Sequence, residues 1–146
     1  MGRVIGSVVV GYLVMFVAVF ATFSAAYFAI GADGAFRPGS YDVSTTWILL
    51  GTVLSFVAAW LGGRVCVAIA RDAKGPKALA AVVLILGILF AVPAMKPQPS
   101  EPRPAGVAMM DAMQRAKTPL WVALLNPVIG VIGVLVGGRR RADATA

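Results

Sequence analysis

Residues 4–30 read VIGSVVVGYLVMFVAVFATFSAAYFAI, an unbroken stretch without one Asp, Glu, Lys or Arg. A helix needs about 20 mostly apolar residues to cross a hydrocarbon core about 30 Å thick. As a helix this stretch reaches ~40 Å, so it predicts a span that tilts or protrudes. Three further stretches of the same kind cover residues 45–70, 78–95 and 119–138. Together they predict an all-α integral membrane protein, one domain of four transmembrane helices in an up-down-up-down bundle.

Composition agrees. Sixty per cent of the residues are apolar and 13% charged, against about 25% charged in soluble domains. A soluble fold of this size buries only ~70% of the surface its unfolded chain exposes, too little to hide this much apolar area. Arg3 before the first stretch and Ser24, Ala25 and Ala26 near its end resemble a secretory signal. A signal core has only 7–15 apolar residues, so the stretch reads as a retained helix.

The connections are of three kinds. Residues 31–44 form an outer loop rich in breakers: Gly31, Gly34, Pro38 and Gly39. Ser44 or Thr45 is the candidate cap of the second span, and Trp47 suits the membrane–water interface. Residues 71–77 form a tight inner turn in which Gly75 is the candidate helix terminator and Pro76 lies in the next first turn. Residues 96–118 form the longer outer loop, with prolines at 97, 99, 102 and 104. After this extended run, 107–117 predicts a short interfacial helix with Met109, Met113 and Ala116 on one face. It is expected on the membrane surface or against the loop 31–44. Thr118 is the candidate cap of the fourth span, ahead of Pro119.

The net charge is +7. The cations flank apolar stretches, so they read as topology signals and lipid contacts, with no nucleic-acid role. One side carries Arg3, Arg64, Arg71, Lys74, Lys77, Arg139, Arg140 and Arg141. The other carries Arg37, Lys96, Arg103, Arg115 and Lys117 on longer loops. The positive-inside rule therefore predicts both termini in the cytoplasm, with residues 139–146 as a basic tail; in topology and composition the chain resembles small four-span proteins of bacterial inner membranes, which is the expected location. Arg64, Arg71, Lys74, Lys77 and Arg139–Arg141 are the expected headgroup anchors. Arg64 is expected to snorkel at the edge of its span.

Packing in lipid favours small residues that let backbones approach. The second span carries Gly51, Ser55, Ala59 and Gly63 at four-residue spacing, and Ala58, Gly62, Cys66 and Ala70 in a second row. The fourth span carries Gly130, Gly133 and Gly137. These residues are the predicted helix-packing faces, and the second span is expected to be the most enclosed. The third span, nearly all Leu, Ile, Val and Ala, is expected to face lipid or an apolar partner. Trp47 to Gly62-Gly63-Arg64 resembles Trp121 to Gly137-Gly138-Arg139; such residues are also common at span boundaries, which is the simpler reading.

Asn126-Pro127 is the polar interruption inside a span. Pro127 frees the carbonyl of Ala123. Asn126 is expected to make a structural hydrogen bond, to that backbone or to a neighbouring helix.

Reactive chemistry is not indicated. The chain has no histidine, so His-ligated haem, common zinc sites and imidazole catalysis are excluded. The six carboxylates, Asp33, Asp42, Asp72, Glu101, Asp111 and Asp143, fall outside the spans, where proton relays and ion sites do not place them. Cys66 reads as a buried structural thiol. No catalytic, metal or cofactor site is predicted. The expected role is a non-enzymatic accessory, assembly or stabilising subunit packed against other membrane proteins. The alternative is a homo-oligomeric channel or small-solute transporter lined by Thr52, Ser55 and Asn126.

Overall fold

The computed structural model describes residues 2–97 and 101–139. Its helices are α1 (Gly2–Ala35), α2 (Thr45–Ala70), α3 (Lys74–Ala91), α4 (Met109–Gln114) and α5 (Leu120–Gly137). A 3₁₀ turn, Val92–Met95, extends α3. All the long helices are apolar enough to cross a membrane: Gly2–Ala35, Thr45–Ala70, Lys74–Met95 and Leu120–Gly137. No strand occurs among the described residues, only isolated bridges between the loops.

Local chemistry sets the helix ends. Gly31, with φ 69°, breaks the helical path near the end of α1; a side chain there would be strained, and glycine is not. Ser44 caps α2 by accepting the Trp47 N–H at 3.0 Å, and its hydroxyl donates to the Gly34 carbonyl. Arg71, rather than Gly75, ends α2, in a left-handed conformation with φ 55°. Gly75 is instead buried inside α3, where a methyl group would meet Ala70 Cβ at 2.6 Å and Ser7 Oγ at 3.0 Å. Close approach, and not helix termination, is what requires glycine there. Thr118 does not cap α5; Pro119 occupies the cap position, without a side-chain hydrogen bond to the helix.

Backbone contacts fix the helix directions. Gly11 of α1 lies against Gly62 and Cys66 of α2, and Phe23 against Gly51, so α1 and α2 are antiparallel. Gly130 meets Val83, Gly87 meets Pro127 and Gly138 meets Pro76, so α3 and α5 are also antiparallel. Gly133 lies against Phe56 and Ala59, and Gly137 against Trp60, so α2 and α5 run parallel. The helices therefore alternate along the bundle. The α2–α3 turn lies beside the start of α1 and the end of α5; we call this the near end.

Two apolar cores result. Near-end packing joins Ala59, Cys66, Leu79, Ala80 and Val134. At the far end, Tyr27, Ala35, Phe36, Val43 and Ala112 form a second core. In their apolar windows, α2 and α5 are each 33% buried, α3 17% and α1 11%. Enclosure is thus shared by α2 and α5, and the barest helix is α1 rather than α3. Phe16, Phe20 and Phe28 of α1 are 62%, 61% and 78% exposed.

Candidate functional site

The α2–α5 seam is built from missing side chains. A methyl on Gly63 would overlap the Val134 carbonyl oxygen, and one on Gly137 would overlap the Trp60 carbonyl oxygen. On Gly133 it would meet Ala59 Cβ at 2.7 Å and the Phe56 carbonyl oxygen at 2.9 Å. Backbones touch here, which maximises dispersion contact where lipid supplies little hydrophobic driving force. Gly62 performs the same task against Met15 of α1, and Gly130 against Val83 of α3.

The four-residue rows of α2 do not each face a single neighbour. Four residues turn a helix by about 400°, so such a row advances about 40° per step. Gly51 accordingly faces Phe23 of α1, at 3.3 Å for an added Cβ, while Ala59 and Gly63 face α5. Ser55 falls between those directions. The second row ends inside the near-end packing, where the Cys66 thiol donates to Ser7 Oγ at 3.6 Å. Ser7 in turn donates to the Val4 carbonyl at 2.7 Å.

That rotation leaves a cleft in the far half of the bundle. It measures about 130 Å³, and Gly51, Thr52, Ser55, Thr118, Val122 and Asn126 are among the residues that line it. Asn126 lies, by helical angle, in the middle of α5's buried arc, between Val122 and Gly130 on the same four-residue row. It is nevertheless exposed, because the small residues opposite it on α2 do not close the gap. Its carboxamide makes no hydrogen bond among the described residues, and the freed Ala123 carbonyl does not receive one from it. Thr52 is satisfied locally, donating to the Ile48 carbonyl at 2.8 Å. Pro127, next along α5, is buried against Gly87, where an added Cβ would meet Pro127 Cγ at 2.6 Å. Its ring therefore fits a notch in α3.

The far end is closed by a cap in which the two outer loops are joined. The Lys117 N–H donates to the Tyr41 carbonyl at 2.9 Å, and Val43 N–H donates to the Lys117 carbonyl at 3.2 Å. Arg103 fastens the Pro-rich loop. Its side chain is only 7% exposed; NH2 lies 2.9 Å from Asp33 Oδ1, and Nε donates to the Ser40 carbonyl at 3.2 Å. The guanidinium also stands 5.7 Å from the centroid of the Phe36 ring. Arg115 lies over Tyr41 and pairs with Glu101 at 3.3 Å. Beneath the cap, Trp47 meets Phe23 and Tyr27 edge-on. The short helix α4 covers six residues, less than the predicted 107–117, and buries Ala112 against this core.

The predicted anchors Arg64, Arg71, Lys74, Lys77 and Arg139 are exposed at the near end. Gly63 abuts Val134 and Gly138, which puts Arg64 level with the end of α5. The Arg64 guanidinium stands 5.3 Å from the Trp60 ring centroid. Arg140 and Arg141 lie outside the described residues. Sequence reasoning missed Arg103 as a clamp. The available signal was an arginine between two prolines facing a loop that contains Phe36 and Tyr41. It also missed the notch glycine Gly87, and it read Gly75 as a helix terminator.

Comparison with protein-family models, with curated proteins and with solved structures finds no match to this chain.

Proposed function

We propose that the chain is a non-enzymatic multi-pass membrane protein, an accessory, assembly or stabilising subunit held among other membrane proteins. In this reading it sits in a bacterial inner membrane with anionic headgroups at its near end, and both termini are cytoplasmic. One observation carries the proposal: Asn126 lines a cleft within the apolar bundle and makes no hydrogen bond among the described residues. A carboxamide without a hydrogen bond in an apolar medium costs about 2–7 kcal/mol by transfer scales. A side chain from a neighbouring helix, entering the cleft with a donor or acceptor, removes that cost. The exposed apolar face of α1 gives a second surface for packing.

The polar lining of the cleft also supports the alternative, a homo-oligomeric channel or small-solute transporter in which Thr52, Ser55 and Asn126 face a shared path. Native mass spectrometry after gentle extraction separates the two. The subunit reading expects unlike partners at fixed stoichiometry, reduced by Asn126→Leu and retained by Asn126→Gln. Symmetric homo-oligomers that pass solute in liposomes would instead establish the channel. A monomer that gains no partner, with Asn126→Leu indistinguishable from the parent, would overturn both.

A further inference from the structure

We propose that the chain is two like helical hairpins related by a two-fold axis along the bundle, and that the Asn126 cleft lies on that axis as a site for an uncharged group that both donates and accepts hydrogen bonds. This rests on the reading above that the cleft is filled, and it names the chemistry of what fills it. The axis is visible in the α2–α5 contacts. Trp121 follows Trp47 by 74 positions, and the same shift carries Trp60 to Val134 and Gly63 to Gly137. A methyl on Gly63 would meet the Val134 carbonyl oxygen; a methyl on Gly137 would meet the Trp60 carbonyl oxygen. Each contact is the other with its partners exchanged, as in an isologous, two-fold interface. The shift also carries Ala59 to Gly133. These two meet each other, an added Cβ on Gly133 standing 2.7 Å from Ala59 Cβ. A residue that touches its own counterpart marks the axis. Because α2 and α5 run parallel, the axis runs along them, and α1 lies antiparallel on α2 as α3 does on α5. Common boundary residues would give matching Trp and Gly positions, but not this reciprocity of contact.

Thr52 stands seven residues before Ala59, and Asn126 seven before Gly133. Seven residues make about two turns, so both positions return to the seam face, ~10 Å from the axial contact towards the far end. They are counterparts under the same shift, as are Ile48 and Val122, and all four line the cleft. The wall thus comes from equivalent positions of the two hairpins, which is where repeat-built membrane proteins place their ligand sites. No charged residue lines it, so an ion there would go uncompensated. Thr52 donates its proton to the Ile48 carbonyl at 2.8 Å and keeps its oxygen as an acceptor. Asn126 offers two donors and an acceptor, none of them used among the described residues. A group that both donates and accepts therefore suits the two counterparts together. A cavity of about 150 Å³ holds a benzene, so a cleft of about 130 Å³ admits about five or six heavy atoms. A small amide or alcohol fits, and so does the tip of an Asn, Gln or Thr side chain from a neighbouring helix. The halves differ at Ser55, whose counterpart is Ile129, so the extra hydroxyl lies on the α2 side.

The test exchanges counterparts across the axis in the full chain, purified in mild detergent. Saturation-transfer NMR with acetamide, and with acetate as its charged analogue, reads a free ligand. Native mass spectrometry of unlike partners reads a side chain from a neighbour. Asn126→Leu should lower the parent's signal, on whichever readout shows one, by about fivefold, as one lost hydrogen bond would. Thr52→Asn combined with Asn126→Thr puts each group in the other's place and should stay within about twofold of the parent. Acetamide should bind and acetate should not. An acetamide signal identifies a free solute as the source; a partner signal alone identifies a side chain. The axial exchange, Ala59→Gly with Gly133→Ala, needs no ligand: it should recover about half or more of the thermal-midpoint loss of Gly133→Ala alone. An exchange at 52 and 126 no better than Asn126→Leu, an axial exchange no better than Gly133→Ala, or acetate binding equal to acetamide would overturn the proposal and leave the filled cleft standing. No signal in the parent on either readout, or one that Asn126→Leu leaves unchanged, would overturn the filled cleft and the proposal with it.

Discussion

Adding one methyl group at successive glycines of the bundle should produce a graded series set by what each methyl meets. Gly6 has nothing within 4 Å of an added Cβ. Alanine there gains helix propensity, about 1 kcal/mol at most, and meets no obstacle. Gly51 faces only the edge of the Phe23 ring at 3.3 Å. That ring can shift by a few tenths of an ångström, so Gly51→Ala should be nearly neutral. Gly63 faces the Val134 carbonyl and the Gly138 nitrogen, both backbone. Neither can rotate away, so α2 and α5 must separate along the seam. Overpacking costs about 1–3 kcal/mol, and separation also loses the dispersion contacts of the flanking glycines. After the propensity gain, Gly63→Ala should destabilise by about 1–2 kcal/mol, and the gap to Gly6→Ala should reach about 2–3 kcal/mol. Gly137→Ala strains the same seam, so the double variant should cost less than the sum of the singles. The assay is the midpoint of heat-induced loss of the monodisperse peak in mild detergent. Should Gly63→Ala and Gly6→Ala lose that peak at the same temperature, the backbone contact between α2 and α5 would be refuted.

The cap and the orientation give independent tests. Arg103→Ala should release the 101–108 segment, at a cost on the order of 2 kcal/mol for its charged hydrogen bond to the Ser40 carbonyl and its contact with the Phe36 ring. Limited proteolysis at that segment, and faster hydrogen exchange of the Arg103 and Val43 amides, should report the release. Asp33→Asn should have little effect on either readout, because Asp33 is 98% exposed and its pairing is screened by water. A reporter active only in the cytoplasm, fused after Ala146, should be active if both termini are inside; an inactive reporter in an inserted protein would reverse the proposed orientation.

Four helices were legible because the apolar runs are long and nearly uncharged, a signal that does not depend on tertiary context. Caps were less legible. Ser44 was among the residues singled out, and its hydroxyl meets the Trp47 N–H. Thr118 had the same credentials, but Pro119 takes the cap position. Gly75 looks like a terminator because glycine commonly serves as one; what requires glycine there includes Ser7, 68 residues earlier in the chain and outside any local pattern. The small-residue rows located the packing face of α2 but not its partners, since a straight row in sequence winds around the helix. The cleft before Asn126 was invisible for a related reason. It is a gap between α2 and α5, and its existence depends on their separation in space.

The far-end cap and the Asn126 cleft are physically joined. Val43 belongs to the apolar core of the cap and to the wall of the Asn126 cleft. Trp47 and Ile48 are common to the cap core and the Asn126 cleft. At the near end, by contrast, α2 and α5 meet backbone to backbone and leave no comparable freedom. The upper wall of the Asn126 cleft is shared with the loops that Arg103 fastens. A partner's side chain at Asn126 would press on Val43 from below. The cap and the cleft share a wall, so filling the cleft should alter the free energy of holding the two outer loops together.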